Sequence, residues 1–367
     1  MKKTKRNGNI ELLRFLFSIL IVFHHFDEGV FHGKLFTAGY LGVEFFFIVT
    51  GIFLGKKLKA GKETNRAGSF GAAAKEGAHY VWKRIGSIYA YFLLASLIGF
   101  AAELFAGIVH VTDVFSFAGD FGFVQLLGLP CLSATGTMWY LCALFFALLL
   151  LYPFARQYYD AFVYCFAMLF PPFILGLIVR MNGNLVATTE SLFGVFNLGI
   201  LRAIAMISIG LVVNELSDRV KSWPVNRLNR FVFTACELGF YPVLFAYLIF
   251  VTSGKFDYLA VVLMAFLLIV TMSEKSRLYG KLDGKLTAFC GKSSMMLFLC
   301  HFFWVKHIRF LAGFLPDIVP KGVVTNVILG FALTFASSVL VYFGGGLLRI
   351  LFQKAKTVLL APPKKEA

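Results

Sequence analysis

Ten stretches of this chain are continuously apolar, near residues 9–26, 38–55, 85–109, 136–155, 160–180, 192–213, 231–251, 256–272, 286–307 and 322–352. A run of roughly 20 apolar residues has the length of a helix that crosses the hydrocarbon core. Strands that cross membranes alternate apolar and polar residues, and these runs do not. In lipid, backbone polar groups are satisfied only within helices or closed barrels. The pattern therefore predicts an all-α polytopic membrane bundle of about ten transmembrane helices. The run 160–180 is interrupted by Pro171 and Pro172. The longest polar interval, about 56–84, is too short for a soluble domain of ordinary size and reads as a surface loop, with room for a short interfacial helix. The expectation is one membrane domain over 1–367 with no additional soluble domain.

Composition supports this class. The chain has 367 residues, 59% of them apolar and 15% charged, with 44 phenylalanines and a mean hydropathy of +0.79. A soluble domain of this length does not carry so much apolar sequence. The net charge of +16 raises nucleic acid as a partner, but the cations sit mostly in alternate loops. They precede the first run (Lys2, Lys3, Lys5, Arg6), crowd the interval after the second, and follow the sixth and eighth; Lys364 and Lys365 lie near the end. The stretch 110–135 contains none while holding Asp113 and Asp120. The positive-inside rule then puts both termini in the cytoplasm, with the lipid bilayer rather than nucleic acid as the partner. Lys306, Arg309 and Lys321, after the ninth run, go against this alternation. The N-terminal KKTKR and the run after it look like a signal peptide, but no small-residue cleavage site follows, so the segment reads as a retained span in a multi-pass cell-membrane protein. Six cysteines form no CxxC pair, which points to neither a metal site nor a disulfide framework.

Polar residues within apolar runs are costly in lipid, and each needs a reason. Arg14 and His25 share the first run. Eleven helical steps bring them back to one face, about 16 Å apart. With the topology above, Arg14 and Arg84 lie towards the cytoplasm, and His25, Glu44 and His301 towards the outside. Trp139 lies near the outer boundary and Arg202 near the middle of the sixth run. The inner layer suits phosphate, because guanidinium groups stay charged and offer paired donors. The outer layer suits proton transfer, because histidine titrates near neutrality and a carboxylate can hold its tautomer. Plainer readings stand beside these. Arg14 and Arg84 could snorkel to headgroups, His24 or His25 could be interfacial, Glu44 could be the structural partner of a buried arginine, and Trp139 could be a belt aromatic.

These residues occur in segments that resemble the membrane-bound acyltransferase 3 family. Arg14, ten intervening residues and His25 match its most diagnostic motif. The stretch Gly39–Leu54 is similar to its Gly-Val-acidic-Phe-Phe-x-x-Ser-Gly pattern, with Glu44 as the acid and Thr50 replacing serine. Lys83–Tyr91 resembles the basic start of its third span, with Ser87 where proline is usual. Thr137–Phe146, with Tyr152 and Pro153, resembles its Leu-Trp-Phe-Leu stretch, and Arg202 followed by Gly210 fits its sixth span. Gly291–His301 is similar to its Ser-Tyr-x-x-Tyr-x-x-His segment, with Met295 and Phe298 in place of the tyrosines. The resemblance implies transfer of an acyl group, commonly acetyl, from cytoplasmic acyl-CoA to a hydroxyl of an extracytoplasmic glycan or lipid-linked saccharide, without a metal. A chain ending on a basic tail would act alone or with a separate extracytoplasmic partner protein.

The depth map and that chemistry combine into one expectation. Arg14 and Arg84 engage the donor's phosphates, and His25 acts as general base or as an acyl-carrying nucleophile. Glu44 orients His25, and Trp139, Arg202 and His301 line the substrate path. The rival reading is a transporter or flippase for a glycan or small solute, which would also bury arginine, glutamate and histidine.

Overall fold

A computed structural model describes residues 7–26, 35–64, 68–314 and 323–359. Lys2 to Arg6, Lys321, Lys364 and Lys365 lie outside the described residues. The described chain is helical, apart from one two-stranded antiparallel hairpin that pairs Ser191 with Asn197 and Leu192 with Phe196. In chain order the helices are α1 (Gly8–Phe26), α2 (Gly42–Thr64), α3 (Phe70–Phe105) and the short α4 (Val114–Asp120). They continue with α5 (Met138–Gln157), α6 (Tyr159–Asn182), α7 (Leu198–Lys221), α8 (Arg227–Phe250), α9 (Asp257–Met272), α10 (Lys285–Phe314) and α11 (Val323–Leu359).

Eight of these helices are long and apolar enough to cross a membrane, namely α1, α3, α5, α6, α7, α8, α10 and α11. The two other expected spans fall short for identifiable reasons. Helix α9 is apolar but has 16 residues, and α2 carries Lys56, Lys57 and Lys59 in its C-terminal half. The interval 56–84 is a correction: α2 runs on to Thr64 and α3 starts at Phe70, so most of it is helix rather than surface loop. Its alanines and lysines are good helix formers, and the Ser69 side chain caps α3 by accepting from the Ala72 N–H at 3.2 Å. The interrupted run forms α6, which absorbs its irregularity in a π-helical turn at Phe162–Phe166 just before the two prolines.

Helix α7 is central, with α2, α5, α6 and α9 packed around it; α1 packs along α10, and α10 in turn against α11 and α3. The α2–α7 crossing is set by glycine. A Cβ on Gly51 would sit 2.1 Å from the Ile207 carbonyl oxygen, and one on Gly210 2.1 Å from that of Ile48. Small residues at such a crossing let backbones touch, the main source of helix association where lipid removes the hydrophobic drive. The approach to α5 is also fixed. Asp120 accepts the Ser133 and Ala134 N–H groups at 2.8 and 2.9 Å, while burial pushes its carboxyl above the usual range. Gly136 then turns the chain into α5 at φ +64°.

Candidate active site

Helix α2 and the turn before it work as a ruler. Tyr40, Glu44, Phe47 and Thr50 are spaced three or four residues apart, so each level lies about one turn from the next. At the Thr50 level, the Arg84 guanidinium donates to the Thr50 hydroxyl at 3.1 Å and to the Tyr80 hydroxyl at 3.0 Å. Lys57 sits over the Tyr80 ring at 4.4 Å and faces Tyr152 at 5.4 Å. On α1, Arg14 pairs with Glu11 at 3.2 Å.

At the Glu44 level, the Arg202 Nε–H donates to Glu44 Oε1 at 2.5 Å and Nη1 to the Ala187 carbonyl at 3.1 Å. Both side chains are essentially sealed, at 1% and 0% exposure. The guanidinium lies over Tyr40 at 5.4 Å and Trp139 at 5.6 Å. Arg202 Nη2 and Glu44 Oε2 have no hydrogen-bond partner among the described residues. An unmatched donor and acceptor on one clamped pair can both be satisfied by a single hydroxyl or water.

His25 lies at the far end of α1. Its ring stacks on His301 at 5.1 Å, takes the edge of Phe302 at 5.2 Å and lies 4.9 Å from His24. His301 is fully buried, and its Nδ1 is 2.8 Å from the Phe298 carbonyl. A carbonyl only accepts, so Nδ1 carries the proton and Nε2 of the neutral ring is an acceptor. That Nε2 is buried with no hydrogen-bond partner among the described residues. His24 is buried too, and its Nδ1 lies 2.9 Å from the Phe36 carbonyl.

The neighbours close on themselves. Tyr40 meets Arg202, and Arg202 meets Trp139. Trp139 adjoins Tyr140, which packs edge-on to Phe298 at 5.0 Å. Phe298 adjoins His301, and His25 and His24 lead back to Tyr40 at 5.9 Å. Side chains from α1, α5, α7, α10 and the turn before α2 thus form one closed ring of contacts. It contains four sequence-selected residues, His25, Trp139, Arg202 and His301, with Glu44 fixed to Arg202. Arg14 and Arg84 sit apart, towards the opposite end of α1.

Glu44 was expected to orient His25; its hydrogen bond is to Arg202, and the imidazole beside His25 is His301. Sequence reasoning did not select Tyr40, Tyr140, Phe298 or Thr50 for the site. Each lies within a motif stretch already singled out, so the available signal was adjacency to selected residues in segments whose helical phase was known. Among the described residues, no group of three or more His, Cys, Asp or Glu side chains is placed to hold a metal ion.

Comparison with known proteins gives one match, to the family model described as an acyltransferase domain, over residues 7–343. Neither the curated proteins nor the solved structures give a match. The family match spans every helix that contributes to the ring and decides between acyl transfer and transport. This multi-pass membrane protein belongs to the acyltransferase 3 family and is an acyltransferase.

Proposed function

We propose that the enzyme moves an acyl group, commonly acetyl, from cytoplasmic acyl-CoA to a hydroxyl of an extracytoplasmic glycan or lipid-linked saccharide. In this reading ten helices cross the membrane, with both termini in the cytoplasm. Lys56, Lys57 and Lys59 at the end of α2, Lys83 and Arg84 in α3, and Arg219 and Lys221 at the end of α7 support that orientation. Helix α2 starts beside the end of α1, with Gly39 against His24, so its terminal lysines lie towards the end where α1 begins, which the positive-inside rule assigns to the cytoplasm.

One observation carries the reading: His25 is stacked on the buried His301 within a closed ring of side chains, and Arg14 lies eleven residues down the same helix, towards Arg84. The phosphates of the donor meet Arg14 and Arg84, and the thioester reaches the imidazoles. The acceptor oxygen attacks the thioester carbonyl carbon while His25 takes the hydroxyl proton. The carbon–sulfur bond then breaks, and the thiolate leaves and is protonated to free CoA. Arg202 Nη2 and Glu44 Oε2 offer a waiting donor and acceptor for an acceptor hydroxyl.

A general base contributes about 10²–10⁴-fold, so His25→Ala should lose transfer by that factor while still inserting in the membrane. The test compares the surface glycans of cells producing wild-type or His25→Ala enzyme by mass, alongside labelled acetyl-CoA consumption in their membranes. Full acylation by a well-expressed His25→Ala variant sinks the assignment. Label retained covalently on the wild-type protein, and absent from the variant, identifies His25 as the nucleophile instead of the base.

A further inference from the structure

The phosphate-facing cations and the imidazoles occupy different levels, and Tyr140 stands between them. Tyr140 packs its ring on Phe47 at 4.7 Å and Phe298 at 5.0 Å. Phe47 lies one turn of α2 beyond Thr50, the partner of Arg84, and Phe298 lies one turn of α10 before His301. The Tyr140 ring therefore packs against residues one helical turn from each level. The charged side chains close enough to act on the Tyr140 hydroxyl are Arg84 and Arg14, from the cation level, and Glu44, from α2. The ring is 5% exposed, and no hydrogen bond joins the hydroxyl to any other described residue. The buried hydroxyls of Tyr40 and Tyr152, by contrast, are each held by a carboxylate, Asp257 and Glu76. A phenol in an aromatic wall with no protein partner has hydrogen-bonding capacity to offer a ligand.

We infer that Tyr140 hydrogen-bonds an amide of the donor's pantetheine arm and so sets how far the thioester advances towards His25. The inference rests on the acyl-CoA reading above. An extended arm that has its phosphates at Arg14 and Arg84 and its thioester at His25 passes Tyr140 midway, where its polar groups are the amides. Between aromatic walls in a low-dielectric interior, an amide without a partner is costly, and a phenol that can both donate and accept removes that cost. Tyr140 is then a positioning residue that recognises the arm, whatever acyl group the arm carries.

The test measures the affinity of purified full-length enzyme for three probes: acetyl-CoA, CoA and adenosine 3′,5′-bisphosphate, which lacks the arm. Tyr140→Phe keeps the ring and removes only the hydroxyl. It should weaken acetyl-CoA and CoA equally, by about 3- to 10-fold, the range of one hydrogen bond, and leave the bisphosphate unchanged. Unchanged bisphosphate binding also shows that the variant is folded. Arg84→Lys, as the contrast, should weaken all three. Equal loss of all three probes in Tyr140→Phe, or loss of none, overturns the inference. Loss confined to acetyl-CoA overturns it as well, because it moves the hydroxyl to the thioester. A wild-type enzyme that binds none of the probes overturns the acyl-CoA reading itself, whereas wild-type binding without the expected split removes only the role of Tyr140.

Discussion

Gly210→Ala tests whether the α2–α7 crossing holds the site together. The added Cβ would lie 2.1 Å from the Ile48 carbonyl oxygen and 2.7 Å from the Gly51 Cα, against ordinary contact from 3.4 Å upward. Both obstacles are backbone, which cannot rotate away, so the helices must part by roughly 1 Å, the gap between these contacts and a normal one. Arg202 lies eight residues before Gly210 on the same helix, about 12 Å away. A shift of that size stretches the Arg202–Glu44 bond from 2.5 Å to about 3.5 Å, the edge of hydrogen-bonding reach, with the charges still adjacent. Overpacking costs typically about 1–3 kcal/mol, and breaking a sealed ion pair costs about 3–5 kcal/mol if it is lost entirely. The expected result is a loss of roughly 2–4 kcal/mol, the overpacking cost plus about 1 kcal/mol for the weakened hydrogen bond, with acyl transfer reduced at least tenfold. Thermal unfolding in detergent, followed by tryptophan fluorescence and paired with labelled-acetyl transfer, measures both. Gly239→Ala in α8 is the control, because a Cβ there meets nothing within 4 Å. If Gly210→Ala matched Gly239→Ala in stability and transfer, the crossing would not be what sets the site.

Two further predictions concern the ring. Glu44→Ala leaves the buried Arg202 charge unpaired and should lower stability by about 3–5 kcal/mol, whereas the double change Glu44→Leu with Arg202→Met should cost less than Glu44→Ala alone; unfolding midpoints of the three proteins decide it, and a double change worse than the single one refutes it. Gly136→Ala forces a Cβ to 1.8 Å from the Phe302 ring at a positive φ, and Phe302 lies edge-on to His25; acetyl transfer should fall while CoA affinity holds, and an unchanged rate would free the His25 ring from that support.

The helices were largely legible in the sequence, because a continuous apolar run states both its conformation and its need for lipid or protein cover. The polar stretch 56–84 was not. Its helicity comes from propensity and a serine cap rather than from apolar periodicity, and an apolar scan is blind to both. The prolines of α6 did not cost that expected span its helix, which carries a π turn just before them.

For the site, the sequence determined which residues could not be left alone in lipid: Arg14, His25, Glu44, Arg84, Arg202 and His301 each carry a charge or a titratable ring within or beside an apolar run. It also fixed phase within each helix, and so the face shared by Arg14 and His25. The choice of partners belonged to the tertiary structure. Glu44 could have served His25 or an arginine, and the glycine contact between α2 and α7 put Arg202 beside it, 158 residues away in the chain. His301 reached His25 because α1 packs along α10. Tyr140 acquired its place only when α5 set its ring between Phe47 and Phe298. The cost of burying a polar group is a property of the residue and its immediate neighbours, so one sequence reveals it. Its satisfaction depends on the register between helices far apart in the chain, which backbone contacts of a few ångströms decide.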